Sequence, residues 1–169
     1  MVTKKKPDVC VMGVAGVGKT LVGAQLAAAL GVPFLEGDQV HPAANVEKMA
    51  HGIPLTDEDR LPWLAAIATR IVAAKRAATG IVVSCSALKR SYRDILRSAD
   101  PDLQFVHLVG DRALLARRLA ARTGHFMPAS LLDSQLATLE HPGPDEHAIV
   151  MDSSEPAETI VRTLLGRVS

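Results

Sequence analysis

The stretch VCVMGVAGVGKTLVGAQLAAAL, residues 9–30, constrains the fold more than any other part of the chain. Its opening apolar run, 9–12, has the length of a buried strand, and residues 21–30 show helical spacing of good helix formers. Between them Gly13, Gly18, Lys19 and Thr20 complete the pattern G-x-x-x-x-G-K-[ST], and the strand-to-helix context is what that pattern requires. Glycines let successive backbone N–H groups curl around phosphate oxygens, and the helix N-terminus adds partial positive charge. The candidate nucleotide contacts are therefore Gly13, Val14, Ala15, Gly16, Val17, Gly18, Lys19 and Thr20. Lys19 supplies a point charge, and the Thr20 hydroxyl suits Mg²⁺.

The alternation continues. Apolar runs at 32–35, 81–83, 105–109 and 148–151 read as buried strands, and 61–78, 88–97, 113–122 and 156–165 read as helices. Strand, helix, strand in repetition predicts an α/β chain: a five-stranded parallel sheet with helices on both faces. Residues 1–169 are expected to form a single domain. The sequence Thr56-Asp57-Glu58-Asp59 has capping-box spacing, so a helix should begin there, and Gly31 and Gly80 fit helix stops. Two polar segments, 37–60 and 123–147, interrupt the pattern, and insertions on a rigid scaffold are where function tends to sit.

Composition narrows the partners. Charged residues make up 22% of the chain with a net charge of +1, which removes the bulk electrostatic argument for nucleic acid or an anionic membrane. No stretch approaches the roughly 20 apolar residues of a membrane span. No signal peptide is expected, and Lys4, Lys5 and Lys6 read as a solvated terminus. Cys10 and Cys85 lie in apolar runs and read as buried thiols, so a cytoplasmic, reducing location is expected.

The phosphate loop specifies a nucleotide but not a reaction. No Asn-Lys-x-Asp segment for guanine is present, and the run 81–83 ends in Ser84 rather than an acid, so a carboxylate for the metal must come from elsewhere. The second strand ends in Glu36-Gly37-Asp38; strand alternation puts Glu36 and Asp38 on one side, facing the phosphate loop across the carboxyl edge of the sheet. One acid can support Mg²⁺ from its outer sphere while the other accepts a proton from an attacking hydroxyl. His41, Asn45, Lys48 and Arg60 follow, suited to a hydroxylated, anionic small molecule, although Lys48 also fits a solvated face and Arg60 a pairing with Asp57 or Glu58. Lys89 and Arg90 form a second basic cluster at a helix start, while Arg93 and Arg97 also suit pairing with Asp94 and Asp100. A third cluster, Arg117, Arg118 and Arg122, enters a segment with Gly124, His125 and Phe126 that reads as a lid over about residues 122–130. The spacing of His125, His141 and His147 resembles no compact zinc set. Trp63 and Phe126 read as packing residues.

Taken together, the phosphate loop, GDQVHPAANVEKMAHGIPLTDEDRLPWL, SCSALKRSYRDILR and RTGHFMPASLLDSQLATLE resemble the bacterial gluconate kinases, over about residues 9–165. The resemblance implies a nucleoside-monophosphate-kinase-like P-loop fold, ATP-dependent phosphorylation of D-gluconate to 6-phosphogluconate with Mg²⁺, and a homodimer. It implies that Asp38 orients or deprotonates the acceptor hydroxyl, that Lys19 and Arg122 act on the transferring phosphate, and that Thr20 and Glu36 serve the metal. His41, Lys48, Arg60, Lys89 and His125 then stand on the substrate side, within an excursion over about 37–78 and its neighbours. Arg118, Ser154 and Pro156 stand on the nucleotide side, the last two in an adenine-side loop. Glu36 departs from the family's frequent Asp. A sibling kinase for another hydroxylated acid, such as shikimate, and a non-catalytic nucleotide-binding regulator are the alternatives.

Overall fold

The computed structural model describes residues 5–122 and 129–168. Five strands, β1 (Asp8–Met12), β2 (Phe34–Glu36), β3 (Ile81–Ser84), β4 (Gln104–Val109) and β5 (Ile149–Asp152), form one sheet in the order β2-β3-β1-β4-β5. Every pairing is parallel, so each connection returns across a face of the sheet and the carboxyl ends of all strands share one edge. The helices are α1 (Lys19–Leu30), α2 (Ala43–Ala50), α3 (Asp57–Ala77), α4 (Arg90–Ala99), α5 (Arg112–Ala121), α6 (Ala129–Thr138) and α7 (Ala157–Leu165).

Period-two alternation in β1 divides the core. Val9 and Val11 face a cluster with Leu26 of α1, Leu115 of α5, Leu132 of α6 and Leu164 of α7. Cys10 and Met12 face the other layer, with Trp63, Leu64 and Ile67 of α3 and Leu96 of α4. Both sheet faces are thus covered, which explains why the strands read as unbroken apolar runs. Both cysteines are free and buried, and the neighbouring Cys85 thiol together with burial pushes the Cys10 thiol well above its ordinary range.

Several boundaries differ from the sequence reading. Strand β2 starts at Phe34, after Pro33, and stops at Glu36, where a 3₁₀ turn (Gly37–Val40) takes over. Helix α3 begins with the expected capping box between Thr56 and Asp59, but it ends at Ala78 in the left-handed conformation, ahead of Gly80. Gly31 caps α1 as expected, with its N–H on the Ala27 and Ala28 carbonyls. Helix α4 starts at Arg90 because Ala87 takes a positive φ of 47° and holds the chain out of the helix. The second polar segment contains α6, a helix that lies almost wholly beyond the expected lid and that the sequence reading left unassigned.

At the edge opposite the phosphate loop, the buried Asp8 and Asp100 carboxyls lie close enough to interact, and Asp8 Oδ1 and Asp100 Oδ2 have no hydrogen-bond partner among the described residues. One shared proton satisfies both. Burial, then the hydrogen bond and charge of Asp100, raise Asp8 to about 7, against the pull of Lys5 and Lys75. A carboxyl raised in the folded state contributes stability that is complete below its ordinary value of 3.8 and fades as pH rises towards about 7. Asp8→Asn keeps a donor without the titration. Thermal melts should therefore show a smaller loss of Tm between pH 5 and pH 8 in the variant than in the wild type; equal losses would remove the shared proton from the account.

Candidate active site

The loop after β1 is shaped by close approach. A Cβ on Gly13, at φ 143°, would lie 2.7 Å from the Leu108 carbonyl oxygen, so the chain passes against β4 only as glycine. The Lys19 ammonium donates to the Gly13 and Val14 carbonyls at 2.8 and 3.0 Å. Burial lowers its pKa, opposed first by the charge of Asp38 and then by those of Cys85 and Glu36.

Glu36 is where three elements meet. Its carboxylate accepts from the Thr20 hydroxyl at the start of α1, from Ser84 Oγ at the end of β3 at 2.6 Å, and from the Asp38 N–H at 3.4 Å. The polar end of β3 thus supports an acid supplied by β2. Gly37 is wedged in this junction: a Cβ there would lie 2.1 Å from the Ser84 carbonyl oxygen. Its own carbonyl accepts from the indole N–H of the buried Trp63 at 2.8 Å, so Trp63 both packs and fixes the turn that carries Asp38. Both acids do face the phosphate loop, Glu36 from the last position of β2 through Thr20 and Asp38 through this 3₁₀ turn and not through strand alternation.

A cavity of about 220 Å³ joins the two halves, with Lys19, Thr20, Asp38, His41, Arg60 and Arg122 on its walls. His41 stacks on Trp63, the ring centroids 4.1 Å apart. Asn45 Nδ2 donates to the Asp59 carbonyl at 2.8 Å, which fixes the amide orientation, and its second hydrogen reaches His41 Nδ1 at 3.2 Å. Burial lowers the His41 pKa against the pull of Asp38, which favours the neutral ring. A neutral ring that accepts at Nδ1 carries its proton on Nε2 and offers a donor. Arg60 donates to the Tyr92 hydroxyl at 2.9 Å, in place of a pairing with Asp57 or Glu58, and that hydroxyl donates to Asp57.

Other expected contacts lie elsewhere. Lys48 pairs with Asp59 at 2.8 Å and Lys89 with Asp57 at 2.9 Å, and neither lines the cavity, because a nearer carboxylate on the α3 N-terminus holds each. Arg118 spans the Gly16 and Ser153 carbonyls at 3.3 and 2.5 Å, tying the phosphate loop to the loop after β5, where Ser154 and Pro156 are exposed. Arg93 pairs with Glu146 rather than Asp94 or Asp100, and Asp100 takes Lys75. His125, Gly124 and Phe126, with most of the expected lid, lie outside the described residues. Among the described residues no group of three His, Cys, Asp or Glu side chains could hold a metal. Sequence reasoning missed Tyr92 and Gln135; the Tyr92 position beside Lys89 and Arg90 was a usable signal, whereas Gln135 had none.

The AAA domain family model matches residues 9–142. Gluconokinase from Gluconobacter oxydans is 52% identical over 155 residues, covering 92% of this chain and 87% of that protein. The chain belongs to the gluconokinase family. Thermosensitive gluconokinase from Escherichia coli is 50% identical over 82% of this chain and 74% of its own. A solved gluconokinase from Sinorhizobium meliloti, 50% identical, superposes with a TM-score of 0.87 over 97% of this chain and 92% of the other. Shikimate kinase from Bacteroides thetaiotaomicron, at 15% identity and a TM-score of 0.66, shares the P-loop kinase fold alone. Membership in the gluconokinase family accounts for a phosphate loop and a polar excursion meeting at a single cavity.

Proposed function

We propose that this chain transfers the γ-phosphoryl group of ATP to a hydroxyl of D-gluconate, giving ADP and 6-phospho-D-gluconate. The observation that carries the reading is the shared cavity, in which phosphate-loop residues and an acid, a neutral histidine and an arginine stand together. Arg60 attracts the carboxylate of the sugar acid, and His41 donates from Nε2 to a hydroxyl. Asp38 orients the attacking hydroxyl and takes its proton, while Arg122, at the end of α5, meets charge spread over the transferring group. Lys19 exchanges its two carbonyl contacts for phosphate oxygens, and the amides of residues 16–18 hold the β-phosphate side. Lys48 and Lys89 act on the substrate side through Asp59 and Asp57, by fixing the start of the helix that carries Arg60.

The hard oxygen donors at the start of α1, the Thr20 hydroxyl with the Glu36 carboxylate behind it, suit Mg²⁺. Bound there, the ion would neutralise charge on the β- and γ-phosphates. Arg118, Ser154 and Pro156 bound the adenine side. The proposal includes one working domain per chain, with residues 37–78 as the acceptor segment, association as a homodimer, and a cytoplasmic location supported by two free buried thiols. No described helix is long and apolar enough to cross a membrane.

The test is ADP release from Mg-ATP with D-gluconate, related sugar acids, shikimate, AMP and water. Turnover confined to gluconate supports the proposal, turnover on another acceptor replaces the substrate, and tight ATP binding without any turnover replaces the reaction.

A further inference from the structure

One peptide unit of the phosphate loop is held from both sides. The Val14 carbonyl accepts from Lys19 Nζ at 3.0 Å, and the N–H of the same peptide, on Ala15, donates to Gln135 Oε1 at 2.8 Å. Because an N–H can only donate, the carboxamide orientation is fixed: Oε1 on the loop, Nε2 turned away from it. Gln135 projects from α6, and 120 residues of chain separate it from the amide it holds.

Helix α6 is itself anchored at several points. Leu132 is fully buried, Asp133 takes Arg112 at 2.6 Å, and beyond the helix the Glu140 N–H reaches the Leu88 carbonyl at 2.7 Å. The same helix contributes Leu131 and Ser134 to the cavity wall, beside Gln135 itself. A single side chain therefore joins a wall of the acceptor cavity to a phosphate-loop peptide.

The two restraints differ in permanence. In the transfer reaction proposed above, Lys19 turns from the Val14 carbonyl to phosphate oxygens, so that end of the peptide loses its partner. Gln135 remains, and its hydrogen bond still restrains the N–H end of the peptide.

We propose that Gln135 is a positioning residue for phosphoryl transfer, holding the Val14–Ala15 peptide of the phosphate loop in register with the acceptor wall carried by α6. It acts through the Ala15 amide and not by reacting. Displacement of reacting groups by about 1 Å can lower a rate by about 100-fold, so loss of this brace should appear in the transfer step ahead of nucleotide affinity.

The experiment compares the full chain with Gln135→Met, which keeps length but cannot accept, and Gln135→Glu, which still accepts. In the Met variant the Ala15 amide should exchange with deuterium faster, and kcat on gluconate should fall by about 10- to 100-fold with a smaller change in the KM for ATP. ADP released per 6-phosphogluconate should also rise, as water takes phosphoryl groups that a displaced acceptor misses. The Glu variant should restore Ala15 protection and the ADP-to-product ratio, although its added charge weakens ATP binding. The inference is overturned by a kcat for the Met variant within about threefold of wild type, or by a Glu variant as uncoupled as the Met variant. If the Met variant does not fold, Gln135→Asn, one methylene too short to reach, bears the same expectations. The rate arm rests on the proposed gluconate reaction, but amide exchange does not: a wild type silent on gluconate refutes that reaction, while unchanged Ala15 exchange in the Met variant refutes the brace.

Discussion

Asp38→Asn should lower phosphoryl transfer to gluconate by about 100-fold or more while leaving ATP binding nearly intact. The amide matches the carboxylate in shape, and the turn that carries it is set by backbone contacts of Gly37 with Ser84 and Trp63, so the fold has no reason to change. What disappears is the acceptor for the hydroxyl proton. The charge of Asp38 also supports the protonated state of both Lys19 and His41, so its removal should lower both pKa values further. A pH profile of the residual activity should register that second effect. Single-turnover kinetics showing transfer within about threefold of wild type would take the proton-accepting role away from Asp38.

Arg93→Met should destabilise the chain by about 3 kcal/mol, because it takes a fully buried partner from a buried acid, leaving it Arg97 alone among the cations, and unpairs the Ala87 and Leu88 carbonyls. Arg93 is 0% exposed and donates to both Glu146 oxygens at 2.7 and 3.2 Å, and to the Ala87 and Leu88 carbonyls at 2.8 and 3.2 Å. Burial pushes Glu146 up, but hydrogen bonds from Arg93, Arg97 and the Gly143 N–H outweigh it and hold the carboxyl at about 2. A depressed acid contributes stability above its ordinary value of 4.5 that is lost as pH falls towards 2, so this pair is intact at neutral pH. The expected fall in Tm is about 10 °C. Arg90→Met is the control, since the Arg90–Asp145 pair is exposed and solvent screening leaves it little to contribute. Equal, small shifts in both variants would refute the assignment. The Arg93 contacts also hold Ala87 in its positive φ, so the wall near Leu88 should loosen and gluconate affinity should fall together with stability.

The sheet was legible because its signals are local: apolar runs of strand length, the G-x-x-x-x-G-K-T loop and the Thr56 capping box each decide their own neighbourhood. Asp38 was placed correctly for the wrong reason. A carboxylate at the end of β2 was bound to face the loop, yet the 3₁₀ turn that aims it depends on Trp63, which is remote in sequence. Charges were the least legible part. Lys48, Arg60 and Lys89 advertise a sign and not a partner, and Asp59, the Tyr92 hydroxyl and Asp57 claim them only once α3 and α4 lie side by side. Gln135 was invisible for the same reason: nothing near it in sequence hints at an amide 120 residues away.

The way α2 is attached bears on how such a protein changes over generations. Among the described residues, the hydrogen bonds that α2 makes beyond its own turns, from Asn45 and Lys48, end on His41 and Asp59, within the same polar excursion. The sheet and phosphate loop are not parties to them. Residues 43–50 can therefore drift or be exchanged as a block without disturbing Glu36 or Lys19. Such a segment lets recognition diversify while the machinery beneath it is inherited unchanged, so new acceptors should arise in this lineage by rewriting α2.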